Sequence, residues 1–251
     1  PEARQNLLFS ATMSHDVRDL ANRFSDDKMA HPATEISISP KSTTAPTIKQ
    51  WMIAVDKDTK SALLSHLINE EKWDQTLIFI EKKHGAAKLV SQLEKRGIKA
   101  ESIHGDRSQA MREQILADFK SGKLQYLVAT GVAARGLDIG LLGRVVNYDL
   151  PFKPEEYIHR IGRTGRAGAT GEAISFVAAG DFKNLCAIET RLDHLIDRKE
   201  IEGFPVRKEV PISILNYVRK SKAPMVKTRS KTTNKATSEN SGSGKNKNIW
   251  G

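Results

Sequence analysis

The sequence predicts an α/β fold: a three-layer sandwich around a mostly parallel central sheet. Three observations carry that expectation. From Ile48 onward, short apolar runs alternate with stretches of helical period, and such alternation implies right-handed crossovers and parallel pairing. The run Leu77-Ile78-Phe79-Ile80 is continuously apolar, as a strand covered by helices on both faces must be. Polar and glycine-rich stretches follow the apolar runs at 10–12, 81–83, 104–112, 130–138 and 159–166. In parallel sheets ligands bind outside the carboxyl ends of the strands, so these stretches point to one composite anion site.

The elements follow in order. Residues 7–9 read as the end of a strand running into Ser10-Ala11-Thr12. Ser14 then stands as the N-cap of a helix with Val17, Leu20, Ala21 and Phe24 at helical spacing. Residues 28–47, with three prolines and many Ser and Thr, read as a linker. A strand is expected at 51–55, and a helix at 60–71 with Leu63, Leu64, Leu67 and Ile68 on one side. Next come a strand at 76–80, a helix at 83–96 closed by Gly97, and a strand at 100–103. Ser108 caps a helix through 119, with Gly122 ending it. Strands at 124–129, 145–148 and 172–177 and a helix at 181–193 complete the pattern. Residues 204–217 are a transition marked by Pro205 and Pro211; from Ala223 onward the composition predicts disorder.

At 39% hydrophobic residues the 251-residue chain can build a core. No run is long and apolar enough to span a bilayer, nothing reads as a signal peptide, and no membrane partner is expected. The single cysteine, Cys186, excludes an internal disulfide framework and fits a reducing compartment. Its helical apolar surroundings favour a buried, inert thiol, and no zinc-ligand spacing occurs. The net charge of +10 is uneven: from Arg219 to Gly251, nine Lys or Arg face the single acid Glu239, so the tail holds +8 and the first 218 residues about +2. Such a tail attracts polyanions through counterion release without reading sequence.

The stretch 157–168 interleaves three arginines with three glycines. Arginine holds phosphate with a planar, permanently charged fork, and glycine lets the backbone approach a ligand. Arg163 and Arg166 are three apart and share a face if this stretch is helical. Two guanidinium groups on one face repel unless an anion sits between them. A lone Arg-x-x-Arg is more readily a solvated basic loop; the surrounding motifs favour the anion site.

Together these stretches resemble the second RecA-like domain of the DEAD-box RNA helicases, over about residues 4–193. Ser10-Ala11-Thr12 matches the SAT motif, and Ile78-Phe79-Ile80 sits at motif IV with Glu81 replacing a small polar residue nearby. His104-Gly105-Asp106, with Gln109 and Arg112, matches the HGD and QxxR elements. Residues 129–138 match motif V, and 159–166 match motif VI. Five matches in the right order are specific, and the wording is most similar to the bacterial RhlE-type group.

The resemblance implies a RecA-like domain over 48–200, preceded by the end of a first RecA-like domain (1–27) and an interdomain linker (28–47). A C-terminal extension (201–222) and a basic disordered tail (223–251) follow. It implies that Arg163 and Arg166 act as arginine fingers on the γ-phosphate of ATP, with Gly136, Asp138 and His159 also at the nucleotide and Asp138 on the ribose hydroxyls; His159 is equally a satisfied structural histidine. Gly105, Arg112 and Thr130 would hold RNA phosphates. Ser10, Thr12, Arg135 and Arg160 would couple the domains, Arg135 by organising the motif V loop with internal salt bridges and Arg160, with His159, by linking the ATP and RNA sites. His104 is equally an ordinary strand-end residue. Mg²⁺ would be bound mainly by the first domain, since neither a G-x-x-x-x-G-K-[ST] loop nor a D-E-A-D tetrad is present; the chain is expected to be a fragment.

Gly131 stands where the family usually has Asp, which puts the tuning of motif V in question. The expected function is the C-terminal half of an ATP-dependent RNA helicase in the cytoplasm, working with the first RecA-like domain, RNA and possible ribosome-assembly or RNA-decay factors. A non-catalytic RNA-binding adaptor is the alternative, and a DNA-helicase half is a third reading that the motif wording disfavours.

Overall fold

The computed structural model describes residues 6–10, 13, 15–24, 34–36, 47–134, 137, 139–165 and 169–215. An N-terminal helix, α1 (His15–Phe24), comes first. It is followed by β1 (Ile48–Ala54), α2 (Lys60–Glu70), β2 (Thr76–Ile80), α3 (Lys83–Glu94), β3 (Ala100–Ile103), α4 (Gln109–Lys120) and β4 (Tyr126–Thr130). Then come the single-turn α5 (Gly131–Ala134), β5 (Arg144–Asn147), α6 (Pro154–Ile161), β6 (Gly171–Val177), α7 (Phe182–Leu192) and β7 (Asp197–Lys199). Among the described residues the strands form one seven-stranded sheet in the order β3-β4-β2-β5-β6-β1-β7, and every pairing is parallel.

Side-chain alternation along the strands makes the layers. Trp51, Ile53, Ile78, Ile80, Val128, Val146, Ile174 and Phe176 face one side, where Leu63, Leu64 and Leu67 of α2 and Leu89 and Leu93 of α3 cover them. Leu77, Phe79, Leu127 and Val145 face the other side against Ile115 and Phe119 of α4. Met52, Ala173 and Val177 continue that side against Tyr157 and Ile161 of α6 and Leu185 and Ile188 of α7. Each fully buried aliphatic or aromatic side chain contributes roughly 1.5–3 kcal/mol, so the two covered faces hold the sheet.

The predicted local signals hold where burial and capping act together. Ser108 Oγ accepts a hydrogen bond from the Met111 amide at the start of α4, and Gly97 and Gly122 take φ of +77° beyond α3 and α4. Two expectations differ, and one strand is unexpected. Residues 7–9 form no strand, and Leu7 and Phe9 are 68% and 88% exposed, because none of the seven described strands runs beside them. Cys186 is half-buried rather than buried, since it lies beside rather than on the inward face of α7 that presents Leu185 and Ile188. Strand β7 has no apolar period and all its residues are exposed. It is held by pairing with β1, by Lys199 Nζ at 3.6 Å from the Trp51 ring centroid, and by Arg198 donating to the Val210 and Pro211 carbonyls. The Ser14 cap, most of the 28–47 linker and the expected disorder from Ala223 lie outside the described residues.

Candidate functional site

The sheet register sets the strand ends side by side. Ile80 of β2 pairs with Thr130 of β4, Phe79 with Asn147 of β5, and Ile103 of β3 with Ala129. The loops that follow therefore gather on one rim: Glu81 after β2, His104 to Arg107 after β3, Gly131 directly after β4, and Asp149 after β5. Helix α6 approaches the same rim. Pro154 stands in its first turn with Glu155 and Glu156, and His159 and Arg160 stand in its last turn, a charge order that suits the helix dipole.

Arg160 is the centre of this rim, and it is 2% exposed. Its Nε and Nη2 donate to Glu156 Oε1 at 3.1 and 2.7 Å, and Nη2 also donates to Glu81 Oε2 at 3.2 Å. Its Nη1 donates to the Asp149 carbonyl at 2.8 Å, and the guanidinium carbon stands 5.1 Å from the Phe79 ring centroid. The network continues: Asp149 Oδ2 accepts from the Glu81 amide at 3.1 Å, and Asp149 Oδ1 accepts from the buried Lys60 ammonium at 3.2 Å. A buried charge needs such partners, because an unpaired one costs several kcal/mol of lost hydration.

Helix α6 ends at Ile161, so Arg163 lies in the turn beyond it. That turn is fastened through its backbone. The Arg163 amide donates to the Arg160 carbonyl at 3.2 Å, Leu142 N donates to the Arg163 carbonyl at 3.3 Å, and Thr164 Oγ1 donates to the Leu142 carbonyl. Gly165 adopts φ of +65°, a left-handed conformation that glycine takes without strain. The Arg163 guanidinium is half-exposed, with Nη1 donating to the Leu137 carbonyl at 3.2 Å. With His159, Arg163 lines an open cleft whose other walls are Phe79, Gly131, Ala134, Glu156 and Arg160. A half-exposed guanidinium sharing a cleft with an imidazole can hold a phosphate.

The neighbouring part of the rim joins α4 to α5. Arg112 Nη2 donates to the Ala133 carbonyl at 3.4 Å, and its buried Nε has no partner among the described residues. Thr130 is half-exposed at the end of β4 and Gly105 is exposed after β3. Between them Lys83 and Asp106 form a surface ion pair at 2.9 Å. His104 is held below the ordinary histidine value, first by burial and then by the nearby Arg107 charge, and its Nδ1 is buried without a partner among the described residues. The unfolded chain thus binds this proton more readily than the folded chain. The His104 contribution to stability is complete above the ordinary value of 6.5 and is lost as the pH falls from there through the folded value. His104→Gln is expected to flatten the acid limb of a stability–pH curve below about pH 6.5. Denaturation midpoints across that range check this, and an unchanged slope would count against it.

The helicase conserved C-terminal domain family matches residues 59–168. The DEAD-box ATP-dependent RNA helicase CshA of Geobacillus kaustophilus is 42% identical over 198 residues, covering 79% of this chain and 41% of that protein. The chain therefore spans about two-fifths of that relative's length. Among solved structures, S. cerevisiae Dbp5 bound to RNA and ADP BeF3 is 33% identical with a TM-score of 0.71, over 80% of this chain and 52% of that one. The E. coli DEAD-box protein SrmB, bound to regulator of ribonuclease activity A, is 34% identical with a TM-score of 0.62; the match covers 65% of this chain and 97% of that one. The chain belongs to the C-terminal helicase domain of the DEAD-box family.

In this DEAD-box domain the tertiary fold brings Gly105, Arg112, Thr130, His159, Arg160 and Arg163 to one rim of the RecA-like sheet. Ser10 stands apart, in the exposed stretch 6–10. Thr12, Arg135, Gly136, Asp138 and Arg166 lie outside the described residues. The condition set for a shared face of Arg163 and Arg166, a helical stretch, is not met at Arg163, which stands beyond the end of α6 at Ile161. The Arg160 guanidinium is buried on the inward side of α6, held by Glu81, Glu156 and the Asp149 carbonyl. Glu156 went unnoticed in the sequence, although it stands four residues before Arg160, the spacing of a helical ion pair, with Pro154 marking the helix start. Among the described residues no group of three His, Cys, Asp or Glu is placed to hold a metal ion, and no helix is long and apolar enough to cross a membrane.

Proposed function

We propose that this chain works as the C-terminal half of an ATP-dependent RNA helicase of the bacterial cytoplasm, on the motif wording one of the RhlE-type group. ATP is held between this domain and a first RecA-like domain whose tail end is residues 1–27 and whose linker is residues 28–47; Mg²⁺ is assigned to that first domain. The domain proper is 48–200, with an extension at 201–222 and an RNA-attracting tail at 223–251. Closure of the two domains brings Arg163 and Arg166 to the γ-phosphate, where guanidinium charge stabilises the transferring phosphoryl group. His159 and Gly136 line the nucleotide, and Asp138 accepts from the ribose hydroxyls. Arg112, Thr130 and the backbone at Gly105 grip RNA phosphates without reading bases. Local strand separation follows from bending one RNA strand across the closed pair of domains. Ser10, Thr12 and Arg135 tie the domains together. Ribosome-assembly or RNA-decay factors are the partner classes this reading favours.

The observation that supports it best is the open cleft in which half-exposed His159 and Arg163 flank Gly131, one residue beyond Thr130. The guanidinium of the turn after α6 and the hydroxyl at the end of β4 thus stand on either side of Gly131, one for the nucleotide and one for RNA. The test is ATP turnover with and without RNA, by this chain alone and by this chain joined to a DEAD-box first domain. RNA-stimulated turnover by the joined protein only is expected; turnover by the chain alone, or none by the joined protein although RNA binds, would refute the reading and in the second case favour the adaptor.

RNA affinity offers a separate check. Arg112→Ala is expected to weaken binding alike for all sequences and to reduce the salt slope by about 1. Deleting the tail from Ala223, which lies in the stretch holding +8, should reduce that slope further. An unchanged slope in either variant would remove that element from the RNA grip.

A further inference from the structure

Two departures from the family's motif wording, Gly131 and Glu81, are far apart in the sequence and bear on the same guanidinium: Glu81 touches it, and a side chain at position 131 would meet it. Glu81 Oε2 accepts from Arg160 Nη2 at 3.2 Å. At Gly131, a Cβ would overlap Glu156 Oε1, stand 3.0 Å from Glu156 Cδ and 3.3 Å from Arg160 Nη2. The space that a side chain at position 131 would fill therefore already holds the Glu156 carboxylate. That carboxylate reaches across from α6 and accepts two hydrogen bonds from Arg160. We propose that Glu156 is a positioning residue matched to Gly131: it supplies, from α6, the carboxylate that a motif V aspartate would supply from position 131, and it clamps the first residue of α5 to the turn carrying Arg163.

The physical argument has three parts. The Arg160 charge is already faced by Glu81 and Glu156, whose side chains are 28% and 19% exposed. A third carboxylate at position 131 would add like-charge repulsion in a poorly hydrated place, besides the steric overlap. Arg160 in turn holds the Arg163 amide through its carbonyl, so its clamp sets where the turn begins. Finally, Thr130 and Gly131 are adjacent, so the contact joins the end of β4 to the end of α6 through one buried guanidinium. Glu156 acts on Arg163 only through Arg160.

The helicase reading supplies what the turn is for, but the clamp itself is read in this chain without nucleotide or RNA, so the two fail separately. Three variants of the full chain test it: Gly131→Asp, the double variant Gly131→Asp/Glu156→Ala, and Glu156→Gln, which keeps size and loses charge. Gly131→Asp is expected to lower the thermal midpoint by about 5 °C or more, and the double variant to recover at least half of that loss. Glu156→Gln is expected to fold and to speed amide exchange at Arg163 about tenfold while leaving Ile78 in the sheet centre unchanged, a local change that general weakening would not give. An unperturbed midpoint for Gly131→Asp, a double variant no better than Gly131→Asp alone, or unchanged Arg163 exchange in Glu156→Gln would each overturn the proposal.

Discussion

Arg163→Ala, in a protein joining this chain to a DEAD-box first domain, is expected to lower RNA-stimulated ATP turnover by about 10³-fold or more. The effect should fall on turnover, because the Arg163 side chain is half-exposed and lines the open cleft with His159. Removing it loses the bond from Nη1 to the Leu137 carbonyl but leaves the backbone of the turn in place, fixed by the Arg160 carbonyl and by Leu142. The thermal midpoint should therefore stay within a few degrees of the parent. Arg163→Lys is expected to rescue little, since an ammonium lacks the planar fork that matches phosphoryl oxygens. Single-turnover hydrolysis with RNA saturating separates the chemical step from RNA binding. Near-parental turnover in the alanine variant would end the arginine-finger assignment.

The second large effect is three residues away and of the opposite kind. Arg160→Met is expected to destabilise the chain by about 3–5 kcal/mol. The loss leaves Glu156 and Glu81 facing each other in a largely dry place, and it removes the donor to the Asp149 carbonyl. Methionine replaces part of the contact with Phe79 but none of the charge. Urea unfolding at neutral pH measures the cost, and a loss under about 1 kcal/mol would show that the pair behaves as a surface ion pair. Adding Glu156→Gln and Glu81→Gln to Arg160→Met should return part of the stability, because the penalty for an uncompensated carboxylate then disappears. The two variants, Arg163→Ala and Arg160→Met, thus divide one arginine-rich motif into a residue for turnover and a residue for architecture.

Much of the fold was legible because its signals are local. The run at 77–80 is apolar on both faces, so it reads as a central strand, and it is β2, between β4 and β5. Leu63, Leu64, Leu67 and Ile68 recur at helical period and all four are buried in α2. Ser108, Gly97 and Gly122 mark ends by capping and by backbone freedom, and each sits at such an end. Helix α6 was missed as an element because its eight residues mix four acidic or basic side chains with only a few apolar ones. Strand β7 was missed because its three exposed polar residues have no period to read.

The sequence by itself determined the parallel α/β sheet, the order of its elements apart from α5, α6 and β7, and the set of loops that carry the polar motifs, since periodicity, caps and motif spacing all act over a few residues. Only the tertiary structure decided which arginine turns inward. Arg160 and Arg163 are equally charged and neighbours in one motif, and nothing within that stretch tells them apart. What separates them is the end of α6 at Ile161, with Glu81, Phe79 and Asp149 arriving from two other loops and strands to enclose the first. A buried charge is selected by its neighbours in space, and those neighbours stand 11 and 79 residues away along the chain.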